Sequence, residues 1–136
     1  MNRYLFKAKR LDNGEWVQGA LLDGESHCLI GQEIKFSPYI EHECKIVGYE
    51  VDRNTICQCT GLKDKNGNMI WENDIIRDKN GNFYKAFWQN NCYQLSCVKS
   101  DIFLIGAKWD LLCFKDFEIE VIGNIFDNPE LLESEG

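Results

Sequence analysis

The dipeptide Asn-Gly occurs three times in this chain of 136 residues, at Asn13-Gly14, Asn66-Gly67 and Asn80-Gly81. Each copy lies between two segments that read as β-strands. Asn-Gly favours the positive φ angles of a type I′ turn, whose twist suits two antiparallel strands joined in a tight hairpin. The sequence therefore predicts a chain built from β-hairpins, with type I′ geometry at these turns.

Two of these turns predict specific strand pairs. Residues 4–11 are expected to pair with residues 15–22, and residues 75–79 with residues 82–88. No window of twelve residues carries a 3.6-residue period, whereas Pro129 suits the first position of a short helical turn near the end of the chain. The predicted fold class is mainly β with a short C-terminal helical turn. Further strand candidates are residues 27–30, 44–51, 93–98 and 118–126.

The two halves of the chain follow the same order of features. Residues 6–16 contain a charged strand, an Asn-Gly turn and an aromatic return strand, and residues 75–83 repeat this order. We predict two small β-rich modules, an N-terminal hairpin-rich module over residues 1–57 and a C-terminal module over residues 58–136. The similarity fits either a duplication or the recurrence of common turn chemistry.

The second module is similar at its start to SH3-like barrels, in which a Gly-Asp-Ile-Val segment leads into the first long strand. The corresponding segment here is Asn73-Asp74-Ile75-Ile76, with asparagine at the glycine position. After glycine, asparagine is the residue that best tolerates the left-handed conformation. We therefore predict an SH3-like barrel in the C-terminal module and a left-handed turn at Asn73.

Three segments together resemble the YopX-like proteins of phages and prophages. They are residues 9–19, residues 60–76 with the run Thr-Gly-Leu-Lys-Asp-Lys-Asn-Gly, and residues 119–132. Their order and spacing extend the resemblance over nearly the whole chain. It implies a small phage-encoded protein and points to no particular reaction.

The charge balance narrows the classes of partner. Fifteen basic residues against 22 acidic ones leave a net charge of −7. This charge repels phosphate backbones and anionic membranes, so nucleic acid and membrane are not the expected partners. No segment approaches the roughly 18 apolar residues of a transmembrane helix, and the first residues carry charges where a secretion signal is apolar. We expect the protein in the cytoplasm of a bacterial host.

The seven cysteines are expected to be free thiols. In a reducing cytoplasm they behave as small hydrophobic residues. Cys57 and Cys59 share a strand face, and with His42 and Cys44 they would make a conceivable zinc set of three thiolates and one imidazole. The spacing lacks the paired knuckles of structural zinc sites, so we predict no metal and no cofactor.

The chain is not expected to be an enzyme. Catalysis needs a positioned nucleophile, base or metal. His27 and Cys28 are adjacent on a predicted strand and so point to opposite faces. Asp64, Asp74 and Asp78 lie at turns, where carboxylates usually accept backbone hydrogen bonds. We predict no catalytic residues.

The candidate partner-binding residues are Trp71, Lys63 and Lys65. Trp71 stands in a polar setting, which predicts a position near the surface, and tryptophan is enriched at binding hot spots. The competing interpretation makes residues 60–76 a structural connector, in which Trp71 packs inside and Asp74 forms a turn hydrogen bond where the next strand begins.

Taken together, these features favour a non-enzymatic phage accessory module that binds a protein. The partner is either an unknown protein or a second copy, because open sheet edges with few prolines invite pairing. The alternative is a nucleic-acid-associated protein of the SH3-like barrel type.

Overall fold

The computed structural model describes residues 4–114 and 118–132. Their regular structure is dominated by antiparallel strands in two sheets, so the predicted mainly β fold is confirmed. Short 3₁₀ helices cover Arg53–Thr55, Leu111–Phe114 and Pro129–Leu132, the last at the predicted helical turn. The strands are β1 (Phe6–Lys9), β2 (Trp16–Asp23), β3 (Cys28–Phe36), β4 (Cys44–Glu50), β5 (Cys57–Lys63), β6 (Met69–Trp71), β7 (Asp74–Arg77), β8 (Phe83–Gln89), β9 (Cys92–Lys99), β10 (Lys108–Asp110) and β11 (Glu120–Asn124).

Contacts divide the chain into two compact units, Met1–Gln58 and Cys59–Gly136. In the first unit the strands follow the order β4-β3-β2-β1, and the first two residues of β5 pair with β1. The predicted first hairpin is confirmed, since β1 pairs with β2 from Phe6 opposite Gly19 to Lys9 opposite Trp16. The core of this unit is small and is formed by Ala8, Cys28, Ile30 and Val51.

One hairpin of the first unit extends beyond its neighbours. Residues 29–31 pair with both β2 and β4, whereas residues 33–36 pair with β4 alone. A register shift between Gly31 and Glu33 marks the change. We call residues 33–47, which are the outer halves of β3 and β4 with their connecting loop, the β3–β4 arm.

In the second unit five strands follow the order β10-β9-β8-β7-β11, and the later residues of β5 pair with β6. The predicted hairpin of β7 and β8 is confirmed. A barrel requires every strand to have two neighbours. In the described part of the chain no pairing joins β10 to β11, so the predicted SH3-like barrel is not confirmed. The core consists of Ile70, Ile76, Tyr84, Ala86, Leu95, Cys97, Leu111 and Ile119.

The predicted type I′ geometry at the Asn-Gly turns is wrong. Gly14, Gly67 and Gly81 have φ angles of 73°, 82° and 84°, but the asparagine before each glycine does not have a positive φ. At Gly67 and Gly81 the single left-handed glycine completes a three-residue hairpin loop, made of a type I turn followed by a bulge. Gly14 instead ends a four-residue loop between Arg10 and Glu15. Positive φ angles at two successive residues occur instead at Asn90 and Asn91, where β8 turns into β9.

The left-handed turn at Asn73 is confirmed by its φ of 68°. The turn is held from both sides, since the Asn73 N–H donates to the carbonyl of Ala86 at 2.7 Å and its carbonyl accepts from Ile125 at 3.0 Å. Over the residues that the structure describes, no helix has the length and apolar composition needed to cross a membrane.

Candidate functional site

Trp71 lies in the interior, with 5% of its surface exposed. The predicted surface position is wrong. Its backbone N–H donates to Oδ2 of Asp74 at 2.8 Å, which is the turn hydrogen bond expected of that carboxylate. The polar residues around Trp71 therefore stabilise the left-handed turn before β7, and they do not indicate whether the Trp71 ring is buried. The observed burial favours the structural interpretation of this segment.

The turn that contains Lys65 is fastened to β11. Oδ2 of Asp64 accepts the N–H of Val121 at 3.0 Å, and the Lys65 ammonium lies 4.0 Å from Oε2 of Glu120. Lys63 is exposed at the end of β5. The structure thus gives Lys65 an intramolecular partner and leaves the recognition role of both lysines a prediction.

The basic residues near β1 are stacked on aromatic rings. Lys7 lies 4.7 Å and Lys9 5.5 Å from the ring centroid of Trp16. Arg10 lies 3.9 Å from the ring of Tyr49 and forms an ion pair with the carboxylate two residues further along. These contacts engage the cations within the first unit, which does not favour a phosphate-binding surface.

The structure does not assemble the conceivable zinc set. Cys57 and Cys59 are buried, whereas His42 and Cys44 are exposed. In residues 4–114 and 118–132, no three side chains of histidine, cysteine, aspartate or glutamate come together in a way that could hold a metal ion.

The structure does not pair His27 with Cys28 as a catalytic base. Nδ1 of exposed His27 lies 2.9 Å from Oε1 of Glu50, while the neighbouring Cys28 is buried. Burial raises the pKa of the Cys28 thiol and of the Cys97 thiol, which makes both less nucleophilic.

Two surfaces of the structure were not predicted by any single sequence motif. The first is the β3–β4 arm, where Ile34 pairs with Ile46 and Phe36 pairs with Cys44. Cross-strand partners and residues two apart share a face, so these four side chains form one apolar face. A cavity of about 500 Å³ begins at Ile34 and Ile46 and continues over β2.

The second surface is a cavity of about 290 Å³ in the second unit, which we call the aromatic cavity. Three of its rings come from residues 101–114, a stretch without a readable period. The only sequence signal was an aromatic content larger than a small core needs. The cavity is lined by Tyr84, Phe103, Trp109, Phe114, Asp78, Lys79, Asn80, Cys113 and Glu118.

The sequence matches the family model described as YopX protein over residues 5–133. The chain belongs to the YopX family. The resemblance carried by its three segments is thereby confirmed. A solved structure similar to this YopX-family chain is the crystal structure of protein EF1440 from Enterococcus faecalis, with a TM-score of 0.62 and 27% sequence identity. The similarity covers 94% of this chain and 96% of that one. No match was found among curated protein sequences.

Proposed function

We propose that this YopX-family protein is a non-enzymatic phage accessory module of the bacterial cytoplasm that works by binding protein, and that its partner is a second copy of itself. The observation that carries the proposal is the uncovered apolar face of the β3–β4 arm. The contacts made by His27 and the burial of Cys28 support the absence of catalysis.

In the described part of the chain, the apolar face of the arm is largely uncovered. Ile34, Ile46 and Phe36 are all exposed, Phe36 by 75%. A two-stranded hairpin is only marginally stable alone in water, and contiguous exposed apolar surface marks an interaction site. Burying this face against a partner stabilises the arm and the complex together.

The arm and its loop together present enough apolar surface for a protein interface. Tyr39 and Ile40, in the loop of the arm, are also exposed, Tyr39 by 94%. Two aromatic rings and three isoleucines at such exposures present on the order of 500 Å² of apolar surface, against roughly 800 Å² per partner in a standard interface. The arm therefore supplies the apolar centre of an interface of ordinary size.

Two features favour a second copy as the occupant. The four side chains that form this face, Ile34, Phe36, Cys44 and Ile46, are uncharged, so two chains of net charge −7 can bring them together without placing like charges in direct contact. In addition, β4 has β3 as its only strand partner among the described residues and contains no proline. Two such edges related by a two-fold axis can pair antiparallel and extend the sheet.

The test is the mass of the wild-type protein and two variants by light scattering at tens of micromolar. We expect a dimer for the wild type and a monomer for Phe36→Glu, because a charge in the apolar face must be desolvated on association. Leu104→Glu is the matched control, since Leu104 is 83% exposed and lies in the second unit. It should remain a dimer. A monomeric wild type, or a Phe36→Glu variant that stays dimeric, would overturn the proposal.

A further inference from the structure

The planes of the aromatic rings that line the cavity lie at steep angles to one another. Tyr84 and Trp109 are 5.7 Å apart between centroids with an interplanar angle of 83°, and Trp109 and Phe114 are 6.3 Å apart at 88°. Phe103 stands 5.1 Å from Trp109 at 67°. All four rings line the cavity, and because their planes are not parallel they border its space from more than one direction.

The cavity is larger than an ordinary packing defect. Protein interiors contain few voids bigger than a water molecule, whereas ligand pockets begin near 300 Å³. The volume of about 290 Å³ lies at the small end of that range. The site is also accessible, because Phe103 is 38% exposed and Cys113 is exposed. These properties suit a small head group that enters from solvent.

Tyr84 forms the deepest wall and is fixed by a carboxylate. It is 2% exposed, and its hydroxyl donates to Oδ2 of Asp78 at 2.8 Å. Burial, followed by this hydrogen bond, raises the pKa of Tyr84, so the phenol stays protonated at neutral pH. The wall is therefore a neutral, immobile ring with an electron-rich face.

The polar lining is acidic on balance. Its charged residues are two carboxylates, Asp78 and Glu118, and one ammonium, that of Lys79. Burial opposes ionisation of Asp78, but hydrogen bonds from Asn82, Tyr84 and the backbone outweigh it and hold the pKa of this carboxyl below its usual value. The cavity thus combines aromatic faces with a net negative charge.

We propose that the aromatic cavity binds an organic ammonium group, either a methylated lysine side chain or a small trimethylammonium compound. Aromatic faces attract cations, and several rings around one point are the arrangement that recognises quaternary ammonium groups. The carboxylates add long-range attraction and exclude anions. This site does not depend on the self-association of the β3–β4 arm, and either proposal can fail alone.

The experiment is an NMR titration of the ¹⁵N-labelled full chain, followed at the indole N–H of Trp109 and the amide of Cys113. Choline is the probe, and 3,3-dimethylbutan-1-ol is its uncharged control of the same shape. We expect saturable shifts with choline in the millimolar range and at least about 5-fold weaker binding of the neutral compound. Tighter binding of a trimethyl-lysine peptide than of choline would support a protein source for the ammonium. The reverse order would support a small molecule.

Variants locate the site on the protein. Phe103→Leu, at the exposed edge of the cavity, should weaken choline binding by about 5-fold or more. Trp88→Leu is the control, because Trp88 is an exposed ring that does not line this cavity. Equal binding of choline and the neutral compound would overturn the proposal. So would the lack of saturable shifts at tens of millimolar, or an unchanged affinity in Phe103→Leu.

Discussion

At the residue scale, two tyrosines of the second unit differ in what their hydroxyls do. The Tyr84 hydroxyl donates to an ionised carboxylate, Asp78, whereas the Tyr93 hydroxyl is buried without a hydrogen-bond partner among the described residues. Tyr84→Phe should lower the free energy of unfolding by about 1.5–3 kcal/mol, because a bond to a charged group is lost. Tyr93→Phe keeps the ring contact with Trp88 at 4.7 Å and should leave the stability unchanged or raise it by up to about 1 kcal/mol.

Urea unfolding of the two variants decides this prediction, since each differs from the wild type by one oxygen atom. Equal losses in both would show that the hydrogen bond to Asp78 contributes nothing specific.

Trp71 provides the second test at this scale. Because the ring is buried, Trp71→Ala should lower the free energy of unfolding by about 3–5 kcal/mol. Lys63→Ala combined with Lys65→Ala should change it by less than about 1 kcal/mol, since the one ion pair that these lysines form with described residues is partly exposed. Thermal unfolding followed by circular dichroism measures both. If Trp71→Ala were thermally silent, the structural role of the segment would be wrong.

At the element scale, the chain uses one turn sequence twice. The pentapeptide Asp-Lys-Asn-Gly-Asn occupies residues 64–68 and residues 78–82. In both copies Oδ1 of the aspartate accepts two backbone N–H groups at 2.9 Å, from the third and fifth residues. The copies differ in a partner of the other carboxylate oxygen, Oδ2. In the first turn Oδ2 of Asp64 accepts the N–H of Val121, and in the second turn Oδ2 of Asp78 accepts the hydroxyl of Tyr84. The same local turn structure therefore contacts strand β11 at residues 64–68 and a ring of the aromatic cavity at residues 78–82.

Because the two turns share their backbone, their glycines should be equally sensitive. Gly67 and Gly81 have φ angles of 82° and 84°, and no heavy atom lies within 4 Å of an added Cβ. The substitutions Gly67→Ala and Gly81→Ala should therefore each cost about 1–2 kcal/mol, from the left-handed backbone alone. Chemical unfolding of both single variants measures the cost. A loss in one that is several times the loss in the other would contradict a common turn geometry.

At the scale of the whole molecule, stability should fall in acid. Burial opposes ionisation of Asp64 and Asp78, but their hydrogen bonds outweigh it and hold both pKa values below the usual range. A carboxyl in an unfolded chain has a pKa of about 3.9. The native state therefore binds these protons less readily, and the stabilisation is complete above that pH and lost as the pH falls through the lower folded pKa values.

The melting temperature should accordingly decrease below about pH 4, the range in which unfolded aspartates take up protons. Asp78→Asn, which cannot ionise, should be less stable at pH 7 and should lose less on acidification. Calorimetry between neutral pH and acid measures how the melting temperature of each protein depends on pH. If Asp78→Asn lost as much on acidification as the wild type, Asp78 would not be a cause of the acid sensitivity.

Much of the strand pattern could be predicted because it depends on neighbours in the chain. Alternation over a few residues and a turn residue of suitable φ predicted both hairpins, and asparagine at position 73 predicted a left-handed turn. The type of the Asn-Gly turns was mispredicted for a local reason as well. The aspartate three residues before Gly67 and Gly81 stabilises a type I turn through its side chain, and this favours the three-residue loop over the two-residue one.

By itself, the sequence determined the family, the mainly β class and the places where the chain turns. Only the tertiary structure decided that Trp71 is buried, that the apolar face of the β3–β4 arm is uncovered and that four rings enclose a cavity beside Asp78. The physical reason is the range of the interactions. Backbone preferences and strand alternation act over a few residues. Burial and cavity shape depend on contacts such as that of Tyr84 with Phe114, which form only after distant segments have packed.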